Sequence, residues 1–222
     1  MDVKNKYVTS SHISEAKFRE IIKYFSEDLN ATQISNSTNI SRPTINKYLK
    51  AIRTRIVEYC NIDSPLSKEA EVDESYLKDR SIKSQIGRGR SGKTIVFGLL
   101  KREGKIYTEI VPDAKKALMQ AIIRGKVGID SVTHSEGWRG YHGLVDIRHN
   151  KYFRIHQGEH SQINEIESFW SYAKIRLAKF RGINKENFNL HLKESEYRFN
   201  HRGEDLYKQL LKIFRKNPIK LS

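Results

Sequence analysis

Glu71-Val72-Asp73-Glu74-Ser75-Tyr76 marks the point where the chain stops reading as helix and begins to read as strand. The segment around it, Ala70 to Leu77, is short and rich in β-formers, as are Thr94 to Lys101 and Lys105 to Val111, and Glu103-Gly104 between the last two reads as a tight hairpin turn. Downstream, a helical stretch from Ala114 to Lys126 leads to a fourth strand near Ser131 to Ser135 and a fifth at Lys151 to His156. Two helices follow. Ile163, Ile166, Trp170, Ala173, Leu177 and Phe180 alternate at spacings of three and four in the first, and Phe188, Leu192 and Phe199 mark the second. Three strands, helix, strand, short helical link, strand and long helix is an α/β order, with a mixed five-stranded sheet flanked by helices.

Upstream of this segment the pattern is all-helical. Phe18, Ile21, Ile22 and Phe25 recur at helical spacing, and Ala31 to Ser37 makes a short second segment. Ser41 to Val57 makes a third, with Ile45, Leu49, Ile52 and Ile56 on one stripe, Ser41 as N-cap and Pro43 in the first turn. The turn Asn36-Ser37-Thr38-Asn39 separates the last two by a helix-turn-helix distance. In that arrangement Arg42, Thr44, Asn46 and Lys47 open a recognition helix and can meet base edges and phosphates. The same pattern also describes a three-helix packing module without DNA contact. The expected organisation is a helix-turn-helix domain over residues 1–60, a linker over 61–68 containing Asp63-Ser64-Pro65, and an α/β domain with C-terminal helices over 69–222.

Charge narrows the partner. The 222 residues carry a formal net charge of +15, which calls for a polyanion, nucleic acid first. Residues 66–222 hold 31 Lys/Arg against 19 Asp/Glu, so most of the excess belongs to the second part. It concentrates in Lys78 to Lys105, with 9 basic and 2 acidic residues, and in Lys174 to Ser222, with 13 and 5. No apolar run reaches the roughly 18 residues of a membrane span, and Met1 to Ser10 lacks the apolar core of a signal peptide, so a cytoplasmic protein without membrane contact is expected. A single cysteine, Cys60, excludes an intrachain disulfide and a cysteine-based zinc site. Any metal must be held by oxygen or histidine.

Three acidic positions carry chemistry. Glu71 to Tyr76 puts acidic groups in what otherwise reads as a buried strand, where Asp73 is either at a solvent-facing edge or a metal ligand. In His134-Ser135-Glu136-Gly137-Trp138-Arg139-Gly140-Tyr141 a strand runs into a glycine turn and leaves Glu136 at its C-terminal end, either as a turn residue or where α/β sheets bind ligands. Glu167 flanks the apolar stripe of the long helix and shares a face with Lys174 two turns on, as a solvated charge would, or as a metal-binding carboxylate with a phosphate-contacting lysine would. One carboxylate on a first strand, one after a fourth and one on the following helix form together the ribonuclease H-like arrangement of two-metal phosphoryl-transfer enzymes. Gly87 to Thr94 contains Gly-Lys-Thr, but no strand precedes Gly87 as a nucleotide-binding loop requires, and Arg88, Arg90 and Lys93 read better as a basic loop on DNA phosphates.

Several motifs in one order carry a resemblance. Val72-Asp73-Glu74-Ser75-Tyr76, Gly87 to Thr94 with Val96-Phe97-Gly98-Leu99, Ile110-Val111-Pro112-Asp113, Gly137-Trp138-Arg139-Gly140-Tyr141 and Ile166-Glu167-Ser168-Phe169-Trp170 resemble the DDE-type transposases of small bacterial insertion sequences. The match lies with the group whose last catalytic motif is I-E-S-F-W followed by a lysine, covers about Glu69 to Arg202, and includes Tyr197-Arg198-Phe199-Asn200. The resemblance implies a ribonuclease H-like catalytic domain in which Asp73, Glu136 and Glu167 hold two Mg²⁺ ions, with Mn²⁺ as a substitute, for DNA strand cleavage and strand transfer. It also implies Lys174 on the element's terminal DNA, a homo-oligomer on the terminal inverted repeats and target DNA, and association with the bacterial nucleoid when bound. The chain departs from the family at Glu136, where Asp is usual. A side chain one methylene longer is expected to fit Mg²⁺ less well than Mn²⁺. The alternative is a decayed transposase that binds DNA without cutting, and a general ribonuclease H-like nuclease would cut without preference for element ends.

Overall fold

The computed structural model describes residues 5–62, 70–78, 93–101, 105–111, 133–135, 145–146, 151–152, 155–156, 163–180 and 183–221. Among these the order is β1 (Val8–Thr9), α1 (Glu15–Ser26), α2 (Ala31–Thr38), α3 (Arg42–Ile62), β2 (Ala70–Lys78), β3 (Lys93–Lys101), β4 (Lys105–Val111), β5 (Thr133–Ser135), β6 (Val145–Asp146), β7 (Lys151–Tyr152), β8 (Ile155–His156), α4 (Ile163–Ala178), α5 (Lys185–Asn200), α6 (Leu206–Lys216) and β9 (Ile219–Lys220). The chain divides into two compact units, Met1–Tyr59 with His201–Ser222, and Cys60–Asn200.

In the first unit, local chemistry sets each helix boundary. Ser14 caps α1 by accepting from the Lys17 amide at 3.3 Å, and Phe18, Ile21, Ile22 and Phe25 form its buried stripe. Asn30 and Gln33 form a reciprocal capping box on α2, which ends at Asn39 in the left-handed conformation with φ 56°. Lys17 Nζ donates to the Thr38 carbonyl at 3.0 Å, satisfying an acceptor that the end of α2 leaves open. Ser41 then opens α3, its Oγ accepting from the Thr44 amide at 3.4 Å. Helix α3 buries Ile45, Tyr48, Leu49, Ile52 and Ile56 and runs to Ile62, five residues beyond the expected end.

Residues 201–222 pack with the first unit. Asp205 caps α6 by accepting from the Lys208 amide, and the helix buries Leu210, Leu211 and Phe214. The Phe18 ring lies 6.1 Å from both Tyr48 of α3 and Phe214 of α6, joining three helices in one core. Strand β9 runs parallel to β1 with Ile219 opposite Val8, and the Ile219 amide donates to the Tyr7 carbonyl at 2.9 Å. Burying Phe214 and Ile219 stabilises this unit by about 1.5–3 kcal/mol each.

The second unit contains a five-stranded sheet, among the described residues, in the order β4-β3-β2-β5-β8. Strands β4, β3 and β2 are antiparallel, whereas β2, β5 and β8 are parallel. The stretch expected as one fifth strand, Lys151 to His156, divides in two: β7 pairs with β6 in a small antiparallel ribbon, and β8 joins the main sheet beside β5. The expected hairpin turn at Glu103-Gly104 and the expected helix Ala114 to Lys126 lie outside the described residues. Helices α4 and α5 pack on each other, with α4 against β2 and β3 and α5 against β4. Their shared core is Ile106, Ile166, Phe169, Trp170, Ala173, Phe188, Leu192 and Phe199, in which Phe169 and Phe199 meet edge to face at 5.3 Å.

Candidate functional site

Asp73 occupies β2, the central strand of the sheet, in register with Gly98 of β3, and Gly98 is in register with Thr108 of β4. Thr108 is fully buried and its hydroxyl meets Glu196 of α5. On the other side β5 ends at Ser135, the register partner of Val72, one residue before Asp73. Glu136, Arg88 and Arg90 lie outside the described residues, and Lys93 is the first residue of β3, paired with Lys78.

Glu167 and Lys174 are both exposed on α4, seven residues and thus about 10 Å apart along its axis. Ile166, Phe169, Trp170 and Ala173 form the buried stripe that these two residues flank. Neither charged side chain makes a hydrogen bond or ion pair within the described residues, which leaves the carboxylate free for a cation and the ammonium free for a phosphate. Among the described residues no three acidic, histidine or cysteine side chains converge on a metal position.

The framework behind this face is a charged interior that periodicity does not reveal. Arg176, on α4, is buried and donates to Glu194 and to Ser195 Oγ at 3.0 Å, and Arg198 Nε shares Glu194 at 2.9 Å. Lys193 Nζ lies 2.8 Å from Glu196 Oε2 and 3.9 Å from the centre of the Tyr107 ring. Burial pushes the Glu196 carboxyl above its ordinary value of 4.5, against the opposing pull of Lys193 and Thr108. Burial also raises the Tyr107 hydroxyl, and its donation to Glu109 at 2.8 Å adds to this.

The outer edge of β4 is closed by α5. Asn200 accepts from the Ile106 amide and donates to the Ile106 carbonyl, both at 2.7 Å, and Glu196 accepts from the Thr108 amide at 2.8 Å. Positions four apart on α5 advance about 6 Å, close to the two-residue step of a strand, so two helix side chains meet alternate outward backbone groups. The sequence carries this signal in Tyr197-Arg198-Phe199-Asn200, although nothing local assigns Asn200 its partner.

In the first unit, Arg42, Asn46 and Lys47 are exposed at the start of α3, and Thr44 is half-buried with its hydroxyl 2.8 Å from Ser41 Oγ. All four therefore stand in the first two turns, on or beside the solvent face.

Residues 65–200 match the model of the ISXO2-like transposase domain, a DDE-type family. The chain belongs to this family. A transposase-like protein of Haemophilus influenzae is 43% identical over 101 residues, 43% of this chain and 81% of that one. Among solved structures, a pre-cleavage Mos1 transpososome aligns over 94% of this chain and 80% of its own at 11% identity and TM-score 0.33. A Mos1 transposase paired-end complex with the left transposon end aligns over 96% and 81%, at 11% identity and TM-score 0.32. Both are distant likenesses. This DDE-type insertion-sequence transposase has, among the described residues, no helix long and apolar enough to cross a membrane.

Proposed function

We propose that the protein binds the ends of its insertion sequence through the helical unit, read as a helix-turn-helix domain, and cleaves and rejoins DNA strands on the sheet unit, read as ribonuclease H-like. The observation that carries this reading is the pair of Asp73 on the central strand and Glu167, free and exposed, on the helix packed against that strand. Family membership supplies the reaction class.

Asp73, Glu136 and Glu167 would hold two Mg²⁺ ions, or Mn²⁺ in their place. A donor set of carboxylate oxygens with no thiol fits a hard divalent cation, and Glu167 has no protein partner to displace among the described residues. When bound, such ions supply charge neutralisation at the scissile phosphate and an activated water or 3′-hydroxyl. The chain's own residues do the rest. Arg42 and Lys47 meet phosphates while Thr44 and Asn46 reach base edges, and Lys174 anchors the terminal strand about two helical turns from Glu167. Arg88, Arg90 and Lys93 hold the backbone of the same or the target duplex. Copies assembled on two ends act on the cell's DNA in the cytoplasm, at the nucleoid.

The test is metal-dependent cutting of a duplex carrying the DNA that flanks the reading frame. Asp73→Asn is expected to abolish cutting and to leave duplex affinity unchanged. Glu136→Asp is expected to raise the Mg²⁺-supported rate relative to the Mn²⁺-supported one. Cutting that survives Asp73→Asn overturns the site. Binding without cutting by the unaltered protein and by Glu136→Asp favours the decayed, binding-only reading, for which the unusual Glu136 is the motive. Cutting of unrelated duplexes at the same rate favours a general nuclease.

A further inference from the structure

Of the C-terminal basic concentration, the proposed function uses Lys174 and leaves the last part without a role. Residues 206–222 contain five cations, Lys208, Lys212, Arg215, Lys216 and Lys220, and no acid. Helix α6 turns Leu210, Leu211 and Phe214 into the core of the first unit and exposes Lys208, Lys212, Arg215 and Lys216, and β9 exposes Lys220. Lys208, Lys212 and Lys216 follow one another at four-residue steps, about 6 Å apart along the axis.

Several cations elsewhere in this unit are paired. Lys6 and Arg19 both reach Glu15 at 3.1 Å, Lys17 reaches Glu20 at 2.9 Å, and Arg55 pairs with Glu58. On α6 Lys208 alone, among the described residues, has such a partner, Asp205 at 3.1 Å. Lys212, Arg215, Lys216 and Lys220 make no side-chain hydrogen bond or ion pair within the described residues. They share that condition with Arg42, Lys47 and Lys50 on α3 and with Lys23 on α1. A row of like charges on a fixed helix repels itself unless a polyanion covers it. The fold spends only the apolar face of α6 on packing, so its cationic face is free for another surface.

We infer that the C-terminal segment is a second DNA-contacting surface of the helical unit, in which Lys212, Arg215, Lys216 and Lys220 bind the sugar-phosphate backbone of duplex DNA without reading sequence. This rests on the reading that α3 engages DNA, and it divides the labour: α3 supplies preference and α6 supplies affinity. Lysines suit that role as point charges on phosphate. The DNA-binding unit is then residues 1–59 with 201–222, not the first 60 residues alone.

The full chain tests this in salt titrations against two duplexes, one carrying the DNA that flanks the reading frame and one of unrelated sequence. Lys212→Ala with Lys216→Ala is expected to weaken both duplexes by the same factor and to flatten the salt slope by about two units, near 0.9 for each phosphate no longer neutralised. The preference between duplexes stays unchanged. Lys212→Arg with Lys216→Arg restores the slope, and Lys23→Ala leaves it as it was. An unchanged slope in the double alanine variant, or an equal loss per charge in Lys23→Ala, overturns the inference. The α3 reading fails separately: Arg42→Ala and Lys47→Ala with full affinity and preference remove it even where the α6 variants lose binding. All these side chains are exposed, so an unchanged thermal unfolding midpoint checks that folding is intact.

Discussion

Helices α5 and α6 follow each other in the chain, both are rich in charge, and they turn it in opposite directions. In α5, Lys193, Glu194, Glu196 and Arg198 are all buried, in an unbroken inward run from Leu192 to Phe199. In α6 every charge is exposed and the interior receives Leu210, Leu211 and Phe214. The difference lies in sign and partners. The charges of α5 are mixed and meet Arg176 on α4 and Thr108 on β4, so each buried ion has a counterpart in hydrogen-bonding distance. Those of α6 are all positive, and a burial without counter-ions would cost several kcal/mol per charge. Helical charge is thus used as internal framework in one unit and as external surface in the other.

The contrast breaks most readily at Glu194. Glu194→Ala leaves Arg176 and Arg198 buried around a missing carboxylate, and a loss of about 3–5 kcal/mol is expected in urea unfolding of the full chain. A loss below about 1 kcal/mol would mean that the α5 charges are solvated after all. Next in size is Asn200→Ala, which strips both partners from Ile106 at the sheet edge and is expected to cost about 2 kcal/mol. A normal stability for that variant would show the edge to be satisfied by other means.

A pH series sharpens the comparison further. Because burial holds Glu196 above 4.5, the folded state binds its proton more tightly than the unfolded state does. Its contribution to stability is therefore complete below about pH 4.5 and declines as pH rises from there through the folded value. Glu196→Gln is expected to remove that decline from the unfolding free energy measured across the series, and parallel curves for the two proteins would refute it. The smallest effect belongs to α6, where Lys212→Ala is expected to change stability by less than about 0.5 kcal/mol. A larger loss there would make the outer cations structural.

Local pattern alone determined the helical N-terminal part, the switch to strands at Ala70, the cap at Ser41, and the exposed face shared by Glu167 and Lys174. These depend on residues within a turn or two, where periodicity and capping chemistry act. The tertiary structure decided the rest. Ile106 and Asn200 are separated by 94 positions, and Thr108 and Glu196 by 88. Strands β1 and β9, of two residues each, are too short for any alternation to show. Charged residues read as solvated in any local window, because the partner that makes their burial tolerable lies on another element. The helix α6 was not among the elements expected from the sequence, and whether its buried Leu210, Leu211 and Phe214 cover the sheet or the N-terminal helices is settled only by the surface of Phe18 that Phe214 meets.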